Sequence, residues 1–124
     1  MRVPDHRGMT LKDLRAKGAN ISICYSPLDS LKLAMDNKDK EVVFWGIGFE
    51  TTVPTVGATI IQAKKMGIKN FSVLSHHKII PPALKFLVES GDVEINGFLL
   101  PGHVSTIIGV SPYEFLAKDT IFLQ

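Results

Sequence analysis

Three observations predict an α/β fold for this chain. Helix-patterned and strand-patterned segments alternate along its 124 residues. The run Val42-Val43-Phe44-Trp45 is continuously apolar, as strands are when both faces of a parallel sheet are covered. Strand-like segments also recur at intervals of roughly 25 to 30 residues, the spacing of βαβ units.

Leu11 to Lys17 carries apolar residues at 11, 14 and 16 and runs into Gly18, a short helix with a cationic last turn and a glycine stop. Asn20 to Tyr25 is short and β-prone, and reads as a strand. Ser26-Pro27-Leu28-Asp29 opens a helix. Ser26 suits the cap, Pro27 the first helical position, and Asp29 the positive end of the dipole. Leu28, Leu31 and Met35 hold helical spacing on one side. Glu41 to Gly46 contains the apolar run and reads as the second strand. The next helix spans Val53 to Met66, capped by Thr51 or Thr52. Its stripe is Val53, Val56, Ile60 and Ala63, and Lys64 and Lys65 precede a Gly67 stop. Phe71 to Leu74 reads as the third strand, and Pro81-Pro82 leads a helix ending near Gly91. Asn96 to Leu100 reads as the fourth strand and Val104 to Ile108 as a helical turn. Ser111-Pro112-Tyr113-Glu114 has the form of a capping box before a last short helix. Thr120 to Leu123 reads as a fifth strand or a tail. The order, one helix and then four β-α pairs, implies a mainly parallel sheet of four or five strands with helices on both faces. That is a three-layer, Rossmann-like arrangement, expected as a single domain over residues 1–124.

Bulk properties narrow the function. The net charge is +2, from 14 Lys and Arg against 12 Asp and Glu, too small a balance to argue for nucleic acid or an anionic membrane. No apolar stretch approaches the roughly 18 residues of a membrane span, and the N-terminus lacks the apolar core of a signal peptide. The single cysteine, Cys24, excludes an intramolecular disulfide and suits a reducing cytoplasmic setting. Its place beside Ile21 and Ile23 marks it as a buried, inert thiol. Trp45 and the phenylalanines read as core.

Parallel α/β sheets bind ligands outside the carboxyl ends of their strands. Two such edges stand out: Gly46-Ile47-Gly48-Phe49-Glu50-Thr51-Thr52-Val53-Pro54 and Pro101-Gly102-His103-Val104-Ser105-Thr106-Ile107-Ile108-Gly109. Each joins a glycine-rich bend to hydroxyls and one ionisable side chain. Glu50 reads equally as a first-turn acid at a helix start or as a ligand-facing carboxylate. Gly46 and Gly48 allow a tight bend and close backbone approach. Neither the phosphate loop nor the dinucleotide fingerprint is present, and Gly-x-Ser-x-Gly is absent. His76 and His77 close the third strand and must point to opposite faces, so one of them looks toward the Glu50 edge. His103 lies on an equivalent edge, with Ser105 and Thr106 able to cap the turn or donate to a ligand. One Glu and two His on neighbouring strand ends lack a fixed metal-ligand spacing.

The quoted residues resemble the HypD family of hydrogenase maturation factors over nearly the whole length. Four stretches carry the resemblance: Met1-Arg2-Val3-Pro4; Tyr25-Ser26-Pro27-Leu28-Asp29 with Leu31-Lys32-Leu33-Ala34; Gly48-Phe49-Glu50-Thr51-Thr52 with Pro54; and Pro101-Gly102-His103-Val104-Ser105 with Ile108 and Gly109. His77, Lys78 and Pro81-Pro82 fit the segment between the last two, and His77 matches the family pattern better than His76. The resemblance implies a non-catalytic scaffold on which an iron bearing two cyanides and one carbon monoxide is assembled for nickel–iron hydrogenases. It implies two partners, a small HypC-type chaperone and a HypE-type cyanide donor, and a [4Fe–4S] cluster in the full-length family.

The family's cysteine-bearing stretches are missing here, so the chain matches the middle α/β domain of a longer three-part protein. It is expected to hold no metal itself and to contribute one wall of a cleft. The cleft residues implied are Gly48, Glu50, Thr51, Thr52, His77, Lys78, Gly102, His103 and Ser105. A domain cut in this way is expected to self-associate through an exposed sheet edge or apolar face. Two other readings stand beside this one. The first is a stand-alone enzyme using Glu50 and His103 as an acid–base pair on a small metabolite; the second is a protein-interaction module.

Overall fold

The structure, a computed structural model, describes residues 3–119. After a loop closed by a bridge between Pro4 and Thr10, the chain forms α1 (Leu11–Ala16) and α2 (Pro27–Asp36). Then come β1 (Val42–Gly48), a 3₁₀ turn at Glu50–Thr52, α3 (Val53–Lys65) and β2 (Phe71–His77). The rest is α4 (Ile80–Ser90), α5 (Gly102–Ile108), a 3₁₀ turn at Ser111–Tyr113 and α6 (Glu114–Asp119). The fold class is α/β, and β1 and β2 pair in parallel, in register from Val42–Phe71 to Gly48–His77. With α3 between them they make one βαβ unit.

The sheet among the described residues has two strands, not four or five. Neither Asn20–Tyr25 nor Asn96–Leu100 is a strand. The first begins with a tight turn, in which the Ile21 N–H donates to the Ala19 carbonyl at 2.8 Å, and such a turn bends the chain away from strand geometry. Residues 20–24 then lie along Val42–Trp45 across a recess of about 510 Å³, with no backbone hydrogen bonds between them. The second has Gly97 as its second residue, and a glycine with no side chain to pack weakens so short a strand. Thr120 to Leu123 lies outside the described residues.

Local chemistry explains where the helices start and stop. Ser26 Oγ accepts from the Leu28 N–H at 3.2 Å, while Asp29 Oδ2 accepts from the Ser26 N–H at 3.0 Å, a complete capping box. Thr10 and Asp13 make a second box at α1, which the sequence reading passed over. Thr52 does not cap α3; its hydroxyl donates to the Phe49 carbonyl at 2.9 Å. Ser111 makes no capping bond either, since Ser111-Pro112-Tyr113 winds into the 3₁₀ turn. Gly91 ends α4 at φ 67°, in the left-handed region that glycine adopts without penalty.

α2 and α3 pack on each other and against the sheet. Ser30, Leu31 and Ala34 of α2, and Val56, Thr59 and Ala63 of α3, are buried. Leu28, Met35, Val53 and Ile60 of the expected stripes remain exposed. Ser30 and Thr59 fit inside because their hydroxyls donate to the Pro27 and Thr55 carbonyls within their own helices. Asn70, just before β2, secures this layer. Its side-chain amide donates to the carbonyls of Ala34, Asn37 and Lys40 at 2.9, 3.0 and 2.9 Å.

The sheet face bearing Val42, Phe44, Phe71 and Val73 is half-buried. The opposite face is open: Val43, Trp45, Ile47 and Leu74 are 58%, 44%, 59% and 50% exposed. Trp45 is therefore not core; its indole N–H donates to His76 Nδ1 at 2.7 Å on that open face. Phe49 and Phe86 are exposed as well. Val104, Tyr113 and Leu116 are the buried apolar residues of the C-terminal segment.

Candidate functional site

The carboxyl ends of β1 and β2 lie side by side because Gly48 is in register with His77. The loop leaving β2 is tied to the turn leaving β1 by two hydrogen bonds. The Lys78 N–H donates to the Gly48 carbonyl at 2.9 Å, and the Ile80 N–H donates to Glu50 Oε1 at 2.8 Å. Glu50 and His77, expected on the same edge, are thus held there by the backbone.

Gly48 sits at φ 153°, and a Cβ at this position would run into the Thr52 side chain. Glycine here lets the chain double back into the Glu50–Thr52 turn. Glu50 then reaches away from its own helix to the start of α4. That end needs help: Ile79 gives no side-chain cap, and Pro81 and Pro82 have no N–H to offer. The Ile80 N–H is the exposed end of the helix dipole, and a carboxylate beside it is stabilised by that field. Glu50 uses one oxygen for this bond. Its other oxygen, Oε2, is buried without a hydrogen-bond partner among the described residues.

His77 is half-buried and its Nε2 is likewise buried without a partner among the described residues. Its ring lines a recess of about 450 Å³ together with Ser26, Gly46, Thr51, Thr52 and Thr55. A carboxylate oxygen and an imidazole nitrogen, each removed from water and unsatisfied, therefore occur on adjoining strand ends. Such groups are costly to leave unpaired.

The remaining expected residues divide into two groups. Thr51 and Thr52 are exposed in the turn and line the recess. Lys78 is exposed and bonds the rim through its backbone. α5 rests against the Glu50–Thr52 turn, which brings the Gly102–Ser105 segment to the same end of the sheet. His103 and Gly102 are exposed there, and among the described residues no hydrogen bond joins His103 to Glu50 or His77. Ser105 and Thr106 do not cap the helix; their hydroxyls donate to the Pro101 and Gly102 carbonyls at 3.1 and 2.7 Å. Ser75 was missed by the sequence reading. Its hydroxyl lies 2.8 Å from His77 Nδ1, and its i, i+2 spacing from His77 was the signal available.

Among the described residues no three His, Cys, Asp or Glu side chains gather into a metal-holding group. No described helix is long and apolar enough to cross a membrane. Cys24 is half-buried in the other recess, beside β1. One cysteine cannot supply the four thiolates of an iron–sulfur cluster, so the donor set does not fit that cofactor.

Comparison with known proteins identifies the family to which this chain belongs. Residues 1–122 match the family described as "HypD: Hydrogenase formation hypA family". The chain is 47% identical over 119 residues to the hydrogenase maturation factor HypD of Escherichia coli, covering 96% of this chain and 32% of that protein. It is 47% identical over 125 residues to HypD2 of Bradyrhizobium diazoefficiens, covering 96% and 33%. An archaeal relative, the putative hydrogenase expression/formation protein MJ0993 of Methanocaldococcus jannaschii, is 42% identical over 109 residues, covering 88% and 30%. The chain spans about a third of the length of these relatives. It belongs to the HypD family.

Proposed function

We propose that this chain serves hydrogenase maturation as one wall of a cleft in which an iron carrying two cyanides and one carbon monoxide is held as cargo. One observation carries the reading: beside the adjoining strand ends, Glu50 Oε2 and His77 Nε2 are both buried and, among the described residues, unpaired. Cyanide ligands accept hydrogen bonds through their outer nitrogen, and protonated or neutral imidazole and threonine hydroxyls can donate to them. Glu50 offers Oε2 as an acceptor that can orient donors or take a proton. The thiolates that grip iron would come from the remainder of a three-part protein, of which this is the middle α/β domain. The exposed His103 and the Gly102–Ser105 segment would complete the rim from the α5 side. A small HypC-type chaperone and a HypE-type cyanide donor are the partners this role requires, in a reducing cytoplasm.

The test replaces Glu50 in the full-length protein that carries this segment. Glu50→Gln keeps an oxygen for the Ile80 N–H and removes the charge. Hydrogenase activity of the host is expected to fall by about tenfold or more, the scale on which loss of a supporting partner around a metal acts, with the protein still soluble and folded. Activity equal to wild type in the Glu50→Gln strain would refute the reading.

A further inference from the structure

We infer that Ser22–Cys24 is a strap that closes on the free edge of β1 as a third parallel strand and, in closing, fixes Tyr25 at the mouth of the recess lined by His77. The part given to Tyr25 rests on the cleft role proposed above; the closure does not. The Val42 N–H donates to the Asn70 carbonyl at 2.9 Å, and the Gly48 carbonyl accepts from the Lys78 N–H at 2.9 Å. With the register between the strands, Val42, Phe44, Gly46 and Gly48 turn their backbone groups to β2, and Val43, Trp45 and Ile47 turn theirs away. Those outward groups have no backbone partner among the described residues. Such a row is a template for another strand.

The topology says which strand. α2 and α3 pack on each other and so lie on one face of the sheet. Crossovers between parallel strands are right-handed almost without exception. α3 carries the chain from β1 to β2, so a segment that enters β1 through α2 belongs on the side of β1 away from β2. Residues 20–24 are there, facing Val42–Trp45 across the recess of about 510 Å³. Both ends of the strap are tied. The Ile21 N–H donates to the Ala19 carbonyl at 2.8 Å, and the Tyr25 and Ser26 N–H groups donate to Asp29 Oδ2 at 3.2 and 3.0 Å. Between these ties, Ser22, Ile23 and Cys24 have no backbone partner among the described residues. Two unpaired rows are thus held side by side, and closure moves only the short stretch between the ties. A parallel strand ends where its neighbours end, so closure sets Tyr25 at the end of the sheet that holds Gly48 and His77. Tyr25 already lines the same recess as His77, yet it is 99% exposed, so its ring has almost no packing role. Pairing beside it holds the phenol there as a hydrogen-bond donor to a small acceptor group in the recess.

The experiment measures residue-resolved amide exchange in the full-length protein that carries this segment. Phe44 and Gly46, whose N–H groups face β2, serve as internal references and report whether a variant is folded. The Val43 and Trp45 amides are expected to exchange about tenfold or more slower than unpaired amides, independently of protein concentration. Ser22→Pro and Ile23→Pro remove successive N–H groups, which point to opposite sides of an extended chain, so one of the two strikes the ladder. That variant is expected to lose the protection at Val43 and Trp45 and to keep it at Phe44 and Gly46. Tyr25→Phe is expected to leave exchange unchanged and to lower host hydrogenase activity about tenfold, the scale on which loss of a supporting partner around a metal acts.

Val43 and Trp45 exchanging as freely as unpaired amides in the wild type overturns the strap. So does protection that survives both proline variants or rises with concentration, because another strand then covers the edge. Wild-type activity in Tyr25→Phe overturns the role given to Tyr25. If Glu50→Gln also leaves maturation intact, the cleft reading itself has failed, and exchange at Val43 and Trp45 still decides the strap.

Discussion

At Glu50 the two carboxylate oxygens have different fates. Oε1 closes the start of α4 and Oε2 stays buried without a partner. Stability and site chemistry can therefore be separated. Glu50→Ala removes the cap and is expected to cost about 1 kcal/mol in urea unfolding, the usual cost of losing a helix N-terminal acceptor. Glu50→Gln is expected to cost less, since its amide oxygen still accepts; equal losses in the two variants would mean that the Ile80 bond contributes nothing.

Cys24 offers a pH-dependent readout. Burial, and secondarily the nearby Asp29 carboxylate, push its thiol above the ordinary range. A thiol raised in the folded state contributes stability that is present below the unfolded value and is lost as pH rises through the folded one. Iodoacetamide labelling should thus reach half its limiting rate at a higher pH than for the unfolded chain, and coincident profiles would contradict the assignment. Trp45 is the only tryptophan, and an indole N–H only donates, so His76 Nδ1 must accept. Tryptophan emission is expected to change in His76→Ala and not in His6→Ala, with a stability loss of about 1 kcal/mol or less.

Among the elements, the βαβ unit depends on a single side chain at its base. Asn70 meets three carbonyls that end α2 and lead into β1, and its own carbonyl accepts from the Val42 N–H at 2.9 Å. Asn70→Ala leaves those carbonyls, of which Ala34 and Asn37 are partly buried, short of a donor and is expected to cost roughly 1–3 kcal/mol in urea unfolding. A loss under about 0.5 kcal/mol would place Asn70 with ordinary surface positions.

Elements differ in how far they could be read from the sequence. The start of α2 was legible because Ser26, Leu28 and Asp29 complete their bonds within four residues. Thr52 and Ser111 have the same chemistry, yet their 3₁₀ turns leave no helical N–H in reach of a capping oxygen. Leu31, Val56 and Ala63 of the expected stripes are buried, but Ala34 is buried in place of Met35 and Thr59 in place of Ile60. Ser and Thr can bond their own backbone and so enter a close helix contact that hydropathy alone assigns to larger residues.

For the whole molecule, the open sheet face is the main consequence of the fold. Val43, Trp45, Ile47 and Leu74 form an exposed apolar surface on a two-stranded sheet. Apolar surfaces of this kind and unpaired strand edges both favour association. The purified chain is expected to show a mass by light scattering that rises with concentration, and Leu74→Lys to reduce that rise. A constant monomer mass at high concentration would show the face to be inert.

What the sequence settled alone is whatever closes within a few residues: the capped start of α2, the glycine stops, the parallel habit of the Val42–Trp45 run, and the motifs that place the chain in its family. Tertiary structure decided the number of paired strands, the exposed position of Trp45 and the reach of Glu50 to α4. A strand becomes a strand only when a neighbour supplies its ladder. Likewise, a bond across thirty residues, as from Ile80 to Glu50, exists only once the register of β1 and β2 brings its two ends together.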